Sequence, residues 1–271
     1  MGSEQVAAAR SFRALHHEGF LVLANAWDAA SARLIESLGA TAIATTSAAV
    51  AWSHGYADGD LLPVPLLRAT VSAITRVIRV PLSVDAEGGY SDEPTAVGEV
   101  VAAIVEAGAV GINLEDGTGT PDLLCAKIEQ AKAAGRRSGI DLFVNARADV
   151  YLRQLGPEAR RLEETLERGA RYRDAGADGF FVPGLTDPSE IRAVAASVAL
   201  PLNVLAWPGL PAAAELLALG ARRLSAGSGL ARAALGRTAA LAAAFLSDGS
   251  SDPLTSEATP YAEMNALLTA R

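Results

Sequence analysis

The stretch Ala107-Gly108-Ala109-Val110-Gly111-Ile112-Asn113-Leu114-Glu115-Asp116-Gly117 decides the fold. It opens on a helix stop, an Ala-Gly pair whose glycine can take the left-handed conformation that ends a helix. A short apolar run at 110–114 follows, of the kind that buried parallel strands carry. It ends on two acids and a glycine. The same junction recurs as Leu38-Gly39-Ala40, Ala175-Gly176-Ala177 and Leu219-Gly220-Ala221. A helix-to-strand junction used four times implies a repeated βα unit.

Working outward, the same patterning predicts strands over 21–26, 42–47, 81–85, 110–114, 142–146, 179–182, 202–205 and 222–226. Apolar residues at three- and four-residue spacing predict helices over 29–38, 66–78, 95–107, 122–138, 157–175, 189–197, 212–219 and 230–246. Glu93-Pro94 and Asp187-Pro188 are helix starts, with proline in the first turn. Eight strands alternating with helices fit a (β/α)8 TIM barrel. An open doubly wound sheet would want a glycine-rich turn after its first strand; here that strand runs into Asn25-Ala26-Trp27-Asp28. No Gly/Ser/Pro-rich linker divides the chain. A single domain over 1–271 is expected: an extra N-terminal helix over 3–18, carrying His16 and His17 on the outside, a barrel over about 20–246, and a helical tail over 247–271.

Half of the 271 residues are hydrophobic and a fifth charged, enough for a sizeable core. A net charge of -8 with no long basic stretch argues against nucleic acid and against an anionic membrane surface. The single cysteine, Cys125, forbids an intrachain disulfide, which is compatible with a cytoplasmic protein. The apolar runs are broken by Arg, Asp or Gly before reaching membrane-spanning length, and residues 1–13 lack a signal-peptide core.

In barrels of this kind the chemistry sits at the C-terminal ends of the strands. Three adjacent strand ends carry polar residues that a core would not choose: Asp85-Ala86-Glu87-Gly88-Gly89-Tyr90, Glu115-Asp116-Gly117 and Arg147-Ala148-Asp149. Burying such carboxylates unpaired costs several kcal/mol. Arg147 can pair one, and a hard divalent cation can satisfy others while keeping part of its water shell. The Asp85–Glu87 spacing places both acids on one face if the strand stays extended. Isolated acids at strand ends more often cap the next helix, the reading for Asp28 and Asp116. His54 reads as a hydrogen-bonded loop histidine, Ser228 as the cap of the last barrel helix, and Asn203 as a residue that lines or fills the pocket.

At these residues the sequence resembles the isocitrate lyase and phosphoenolpyruvate mutase superfamily. The stretches that carry the likeness are ANAWDAASARLIESLGATAIATTSAAVA (25 is the first Asn), PLSVDAEGGY, GINLEDG, NARADVYL, YRDAGADGFFVPGL and GSGLARAALG, in this order between about Phe20 and Phe245. The resemblance implies a Mg2+-dependent barrel, with Mn2+ as a substitute, acting on small 2-oxo acids. It also implies a homo-oligomer, dimer or tetramer, that exchanges the last barrel helix. It makes Asp85 the acid that touches the metal, and Glu87 and Glu115 the acids that hold metal-bound waters. It makes Arg147 the substrate-carboxylate ligand and Trp27 a bulky residue beside the substrate. Ser47 and Ala48 match the turn that binds the oxo-acid oxygens, and Asp58 matches an acid near the substrate in the mutases, a candidate proton carrier.

The departures are equally specific. Relatives with lyase activity toward isocitrate carry a Lys–Lys/Arg–Cys–Gly/Ser–His motif after the fourth strand. Here Glu115-Asp116 runs into GTGTPDLLCAKIEQ, and Cys125 reads as a structural thiol inside a helix. The lysine-rich gating loop of the mutases is missing or very short, and Pro183 stands where relatives place a Glu or His. The expected reaction is cleavage of a C–C bond in a small 2-oxo acid through an enolate. The alternatives are a phosphonopyruvate mutase or C–P hydrolase, and a non-catalytic oxo-acid binder.

Overall fold

The computed structural model describes residues 2–256 and 258–269; Met1, Glu257, Ala270 and Arg271, parts of the expected 1–271 span, lie outside the described residues. In chain order the elements are α1 (Ser3–Leu15), β1 (Leu21–Leu23), β2 (Asn25–Ala26), α2 (Ala29–Ser37), β3 (Ile43–Thr45), α3 (Ser47–Ser53), α4 (Val64–Val77) and β4 (Leu82–Asp85). There follow α5 (Pro94–Glu106), β5 (Gly111–Glu115), α6 (Pro121–Arg137), β6 (Phe143–Arg147), α7 (Arg161–Asp174), β7 (Gly179–Val182), α8 (Pro188–Val198) and β8 (Leu202–Leu205). The last are α9 (Ala213–Ala218), β9 (Ala221–Ser225), α10 (Gly229–Asp248), α11 (Asp252–Thr255) and α12 (Tyr261–Thr269).

Every strand pairing is parallel, in the order β1-β9-β8-β7-β6-β5-β4-β3-β2. β1 and β2 are halves of one expected strand. Leu21–Leu23 pairs with β9 and Asn25–Ala26 pairs with β3, so the break at Ala24 lets one bent strand close the ring. The architecture is therefore the expected TIM-type barrel. Leu82 and Val84, Ile112 and Leu114, Val144 and Ala146, Phe180 and Val182 are buried in the same core as Val97, Val101, Ile104, Ile128 and Ile191 of the surrounding helices. The alternate strand positions face the lumen. Each fully buried large aliphatic contributes roughly 1.5–3 kcal/mol.

Two local differences from the expected elements matter for function. The second strand ends at Thr45, and Ser47–Ser53 is helical rather than part of a 42–47 strand. The N-terminal helix is no outer ornament, because it closes the strand N-termini. Phe12 is fully buried edge-on to Phe143, at 5.5 Å and 82°, and a Cβ at Gly111 would lie 2.6 Å from its ring. His16, the C-cap of α1, is buried and stacks on Phe143 at 4.0 Å and 22°. That corrects its expected place on the outside.

The other end of the ring of helices is left open. Within α10 only Ala231 is buried, while Leu235 is 54% and Leu246 83% exposed. Val22, on the outer face of β1, is 56% exposed, so no helix covers that part of the barrel. Among the described residues α10 is the one helix long and apolar enough to cross a membrane by length and composition, despite Arg232 and Arg237 within it.

Candidate active site

Asp85 ends β4 at the barrel mouth, half-buried, with its Oδ1 out of reach of solvent. Its backbone N–H donates to Thr45 Oγ1 at 2.9 Å, tying it to the neighbouring strand. Oδ2 accepts from the Ser47 N–H at 3.4 Å, while Oδ1 is buried with no hydrogen-bond partner. Burial pushes the carboxyl above its ordinary range, and the Arg147 charge opposes that shift. The helical turn that starts at Ser47 brings a backbone amide to this acid. The apolar run after Thr46 therefore serves the site as a helix start.

Glu87 does not share a face with Asp85. Its φ of +50° takes the chain out of the extended conformation, which removes the basis of the same-side reading. The carboxylate turns toward the loop after α3. Oε2 accepts from Gly59 N–H at 2.7 Å and Asp60 N–H at 2.5 Å, and Oε1 accepts from the Tyr90 hydroxyl at 2.8 Å. The Tyr90 N–H donates to Asp60 Oδ1 at 2.9 Å. Asp60, Glu87 and Tyr90 are thus mutual partners, and all three have positive φ. Non-glycine residues held there carry about 1–3 kcal/mol of strain each, a feature that clusters at functional sites. At Gly88 a Cβ would sit 2.6 Å from Asp60 Oδ2, so a larger residue there would have to displace the Asp60 carboxylate. Asp58 lies exposed on the same loop, close enough for its charge to oppose ionisation of both Asp85 and Glu87.

Glu115 and Arg147 end adjacent strands and are register partners. Arg147 Nη1 lies 2.5 Å from Glu115 Oε2, and its Nε donates to Asp149 Oδ1 at 2.6 Å. Arg153, which sequence reasoning missed, adds Nε to Asp149 Oδ2 at 2.8 Å and stands 3.9 Å from Glu115. Burial pushes the Glu115 carboxyl up, and the Arg147 cation opposes it. Asp116 is not a helix cap. It is buried and accepts from Tyr172 Oη at 2.6 Å, Arg168 Nη1 at 2.7 Å and Asp149 N–H at 2.9 Å, bracing the strand end from behind.

The remaining candidates separate cleanly. Asp28 caps α2 in a reciprocal pair with Ser31, and partly buried Trp27 follows β2 beside it. His54 Nε2 lies 2.8 Å from Thr70 Oγ1. Ser228 occupies the cap position of α10 but its side chain caps nothing. Cys125 is partly exposed, 3.7 Å from the Arg171 carbonyl, with its thiol pushed up by burial, which suits a structural role. Asn203 is buried in the lumen, where Oδ1 accepts from Ser225 Oγ at 3.2 Å. Cavities of about 580 and 520 Å³ open at the opposite end of the barrel, beside α1 and the His16-His17 corner, away from these acids.

Among the described residues no three His, Cys, Asp or Glu side chains converge into a cage. The donor set instead fits a cation with one direct carboxylate and a retained water shell, as Mg2+ prefers. Asp85 Oδ1 is the buried oxygen left for it.

The model of the phosphoenolpyruvate phosphomutase family matches residues 12–246. The chain belongs to the phosphoenolpyruvate mutase and isocitrate lyase superfamily. An uncharacterized protein of Mycobacterium tuberculosis (strain H37Rv) is 41% identical, over 95% of this chain and 96% of that one. The oxaloacetate decarboxylase of Paraburkholderia xenovorans is 29% identical, over 72% of this chain and 67% of its own. Among solved structures, a phosphonopyruvate hydrolase in complex with oxalate and Mg2+ superposes with a TM-score of 0.84 at 26% identity, covering 96% of this chain and 94% of that one. Superfamily members are lyases and mutases, so the strand-end acids belong to an enzyme fold.

Proposed function

We propose that this superfamily member is a Mg2+-dependent lyase that cleaves a C–C bond of a small 2-oxo acid by way of an enolate. The observation that carries the reading is the buried, unpartnered Asp85 Oδ1, next to the Ser47 amide and within the field of Arg147. Mg2+, or Mn2+ in its place, would be held by Asp85, with Glu87 and Glu115 on its waters; when bound it supplies Lewis-acid polarisation of the substrate's oxo group.

The chain's own residues do the rest. Arg147 donates from Nε and Nη2 to Asp149 and pairs its Nη1 with Glu115. Its remaining N–H groups are the ones offered to the substrate carboxylate. The first-turn amides of Ser47 and Ala48 and the Ser47 hydroxyl are placed to stabilise oxyanion charge as the bond breaks. Asp58, on the loop that Glu87 tethers, is the proposed proton carrier, since Pro183 offers none after β7. Trp27 forms the wall after β2. Only residues 116–120 link β5 to α6, so the mouth suits an acid of oxaloacetate or phosphonopyruvate size.

The second reading, a phosphonopyruvate mutase or C–P hydrolase, is favoured by the family model and by the oxalate-bound hydrolase. A panel of 2-oxo acids with and without EDTA, including phosphonopyruvate followed by phosphorus NMR, separates the two. Metal-dependent release of pyruvate or a carboxylic fragment supports the lyase. Phosphate or phosphoenolpyruvate from phosphonopyruvate supports the alternative. Oxalate binding without turnover of any acid leaves a binder. The bare apolar face of α10 and the uncovered Val22 support a homo-oligomer in which α10 crosses to a neighbouring barrel.

A further inference from the structure

Among the described residues Arg223 is the largest fully buried side chain, and it lies inside the barrel lumen. Barrel interiors are packed mostly with branched aliphatics. Here a guanidinium reaches from β9 to β5, with Nε donating to Ser225 Oγ at 3.1 Å and Nη2 to Asn113 Oδ1 at 3.4 Å. Among the described residues no carboxylate lies within 4.0 Å of it. Nη1 has no partner, and neither has Nδ2 of Asn203, its register partner on β8. The acid it feels is Asp85, whose own register partner is Asn113. On the opposite side stands His16, which burial holds neutral with a pKa near 3. Burial brings Arg223 itself down to about 9, which leaves it charged at neutral pH.

A buried cation with no carboxylate partner costs stability, and an apolar side chain of similar volume would not. Its position beneath Asp85 gives the cost a use. We propose that Arg223 is a positioning residue that forms a cationic floor under the proposed oxo-acid site, favouring the dianionic substrate and the enolate over neutral ligands. The field of a unit charge buried this deeply is less screened than at the surface. It adds to the amides of Ser47 and Ala48 without touching the substrate. Because a cation repels a cation, Arg223 assists the anion and not the metal.

The inference rests on the proposed reaction, and its test uses the full-length protein with Mg2+ and oxalate, a dianionic enolate mimic. Calorimetry on Arg223→Met should show oxalate, at saturating Mg2+, binding about tenfold or more weakly than to wild type. Affinity for Mg2+ alone should be unchanged or tighter, and Tm unchanged or higher. Arg223→Lys should recover most of the oxalate affinity. Equal oxalate affinity in wild type and Arg223→Met overturns the role of Arg223 alone. A drop in Tm or failure to fold, or loss of Mg2+ binding, also overturns it, since these mark a structural role. Absence of oxalate binding by the wild type overturns the reaction assigned to the site as well.

Discussion

Acid should loosen this barrel through one residue at its closed end, His16. Its Nδ1 faces the Phe12 carbonyl at 2.8 Å, the ring stacks on Phe143, and Nε2 is buried without a partner. Protonation would put a second charge at Nε2 in a site already under the field of Arg223, so burial first, and that cation second, lower the pKa from 6.5 to about 3. The folded state holds the imidazole neutral. The stability this lends is complete above pH 6.5 and is lost as pH falls toward 3. At about 1.36 kcal/mol per pKa unit the full loss is on the order of 5 kcal/mol, of which about 2 kcal/mol is gone by pH 5. His16→Leu has nothing to protonate. It should be less stable than wild type at pH 8, through the lost stacking, yet lose about 2 kcal/mol less between pH 8 and pH 5. Urea unfolding of both proteins at pH 8, 6.5 and 5 measures the difference directly. Parallel stability curves for the two would refute the assignment of the acid sensitivity to His16.

Three further outcomes follow from the geometry. Asp116→Ala strands the buried Arg168 guanidinium and the Tyr172 hydroxyl, and should cost about 3–5 kcal/mol by chemical denaturation; a loss below ~1 kcal/mol would mean that the network relaxes freely. Glu87→Ala removes the acceptor of the Gly59 and Asp60 amides, so hydrogen exchange at those two should accelerate at least about tenfold while β5 is unaffected; unchanged protection there would show that the loop is held by something else. Leu235→Glu combined with Phe245→Glu, on the exposed face of α10, should reduce the mass seen by light scattering to that of a monomer; an unaltered mass would move the interface elsewhere.

The barrel was legible because its strands are short apolar runs that end at glycine junctions, and the helices between them have clear starts and stops. What escaped was decided by single backbone angles. Ala42 to Trp52 is an apolar stretch broken only by Thr45, Thr46 and Ser47, and its apolar content does not say that Thr46 divides a strand from a helix. Asp85 and Glu87 obey a strand's alternation on paper, but φ at Glu87 turns the second acid toward the loop. Arg222 and Arg223 are adjacent in an expected strand. Only the alternating burial of β9 selects Arg223 for the lumen, and that parity depends on a register irregularity near Leu202. Arg153 sits four residues after Asp149, at a spacing that would have revealed the pair had the segment been read as helical turn. The acids and Arg147 were readable because charged residues at apolar strand ends need an explanation, whereas a charge hidden inside a strand does not announce itself.

The most direct test of the site is Asp85→Asn, which keeps the shape and removes the charge. Thermal unfolding of wild type and variant would be compared with Mg2+ alone, oxalate alone and both together. Ligand at 100 times its Kd stabilises a folded protein by about 2.7 kcal/mol. The account predicts that Mg2+ alone shifts the wild type, that oxalate added with Mg2+ shifts it further by that order, that oxalate alone does not, and that none of these shifts appears for Asp85→Asn. An equal shift in the variant would contradict the assignment of Asp85 as the residue that holds the metal.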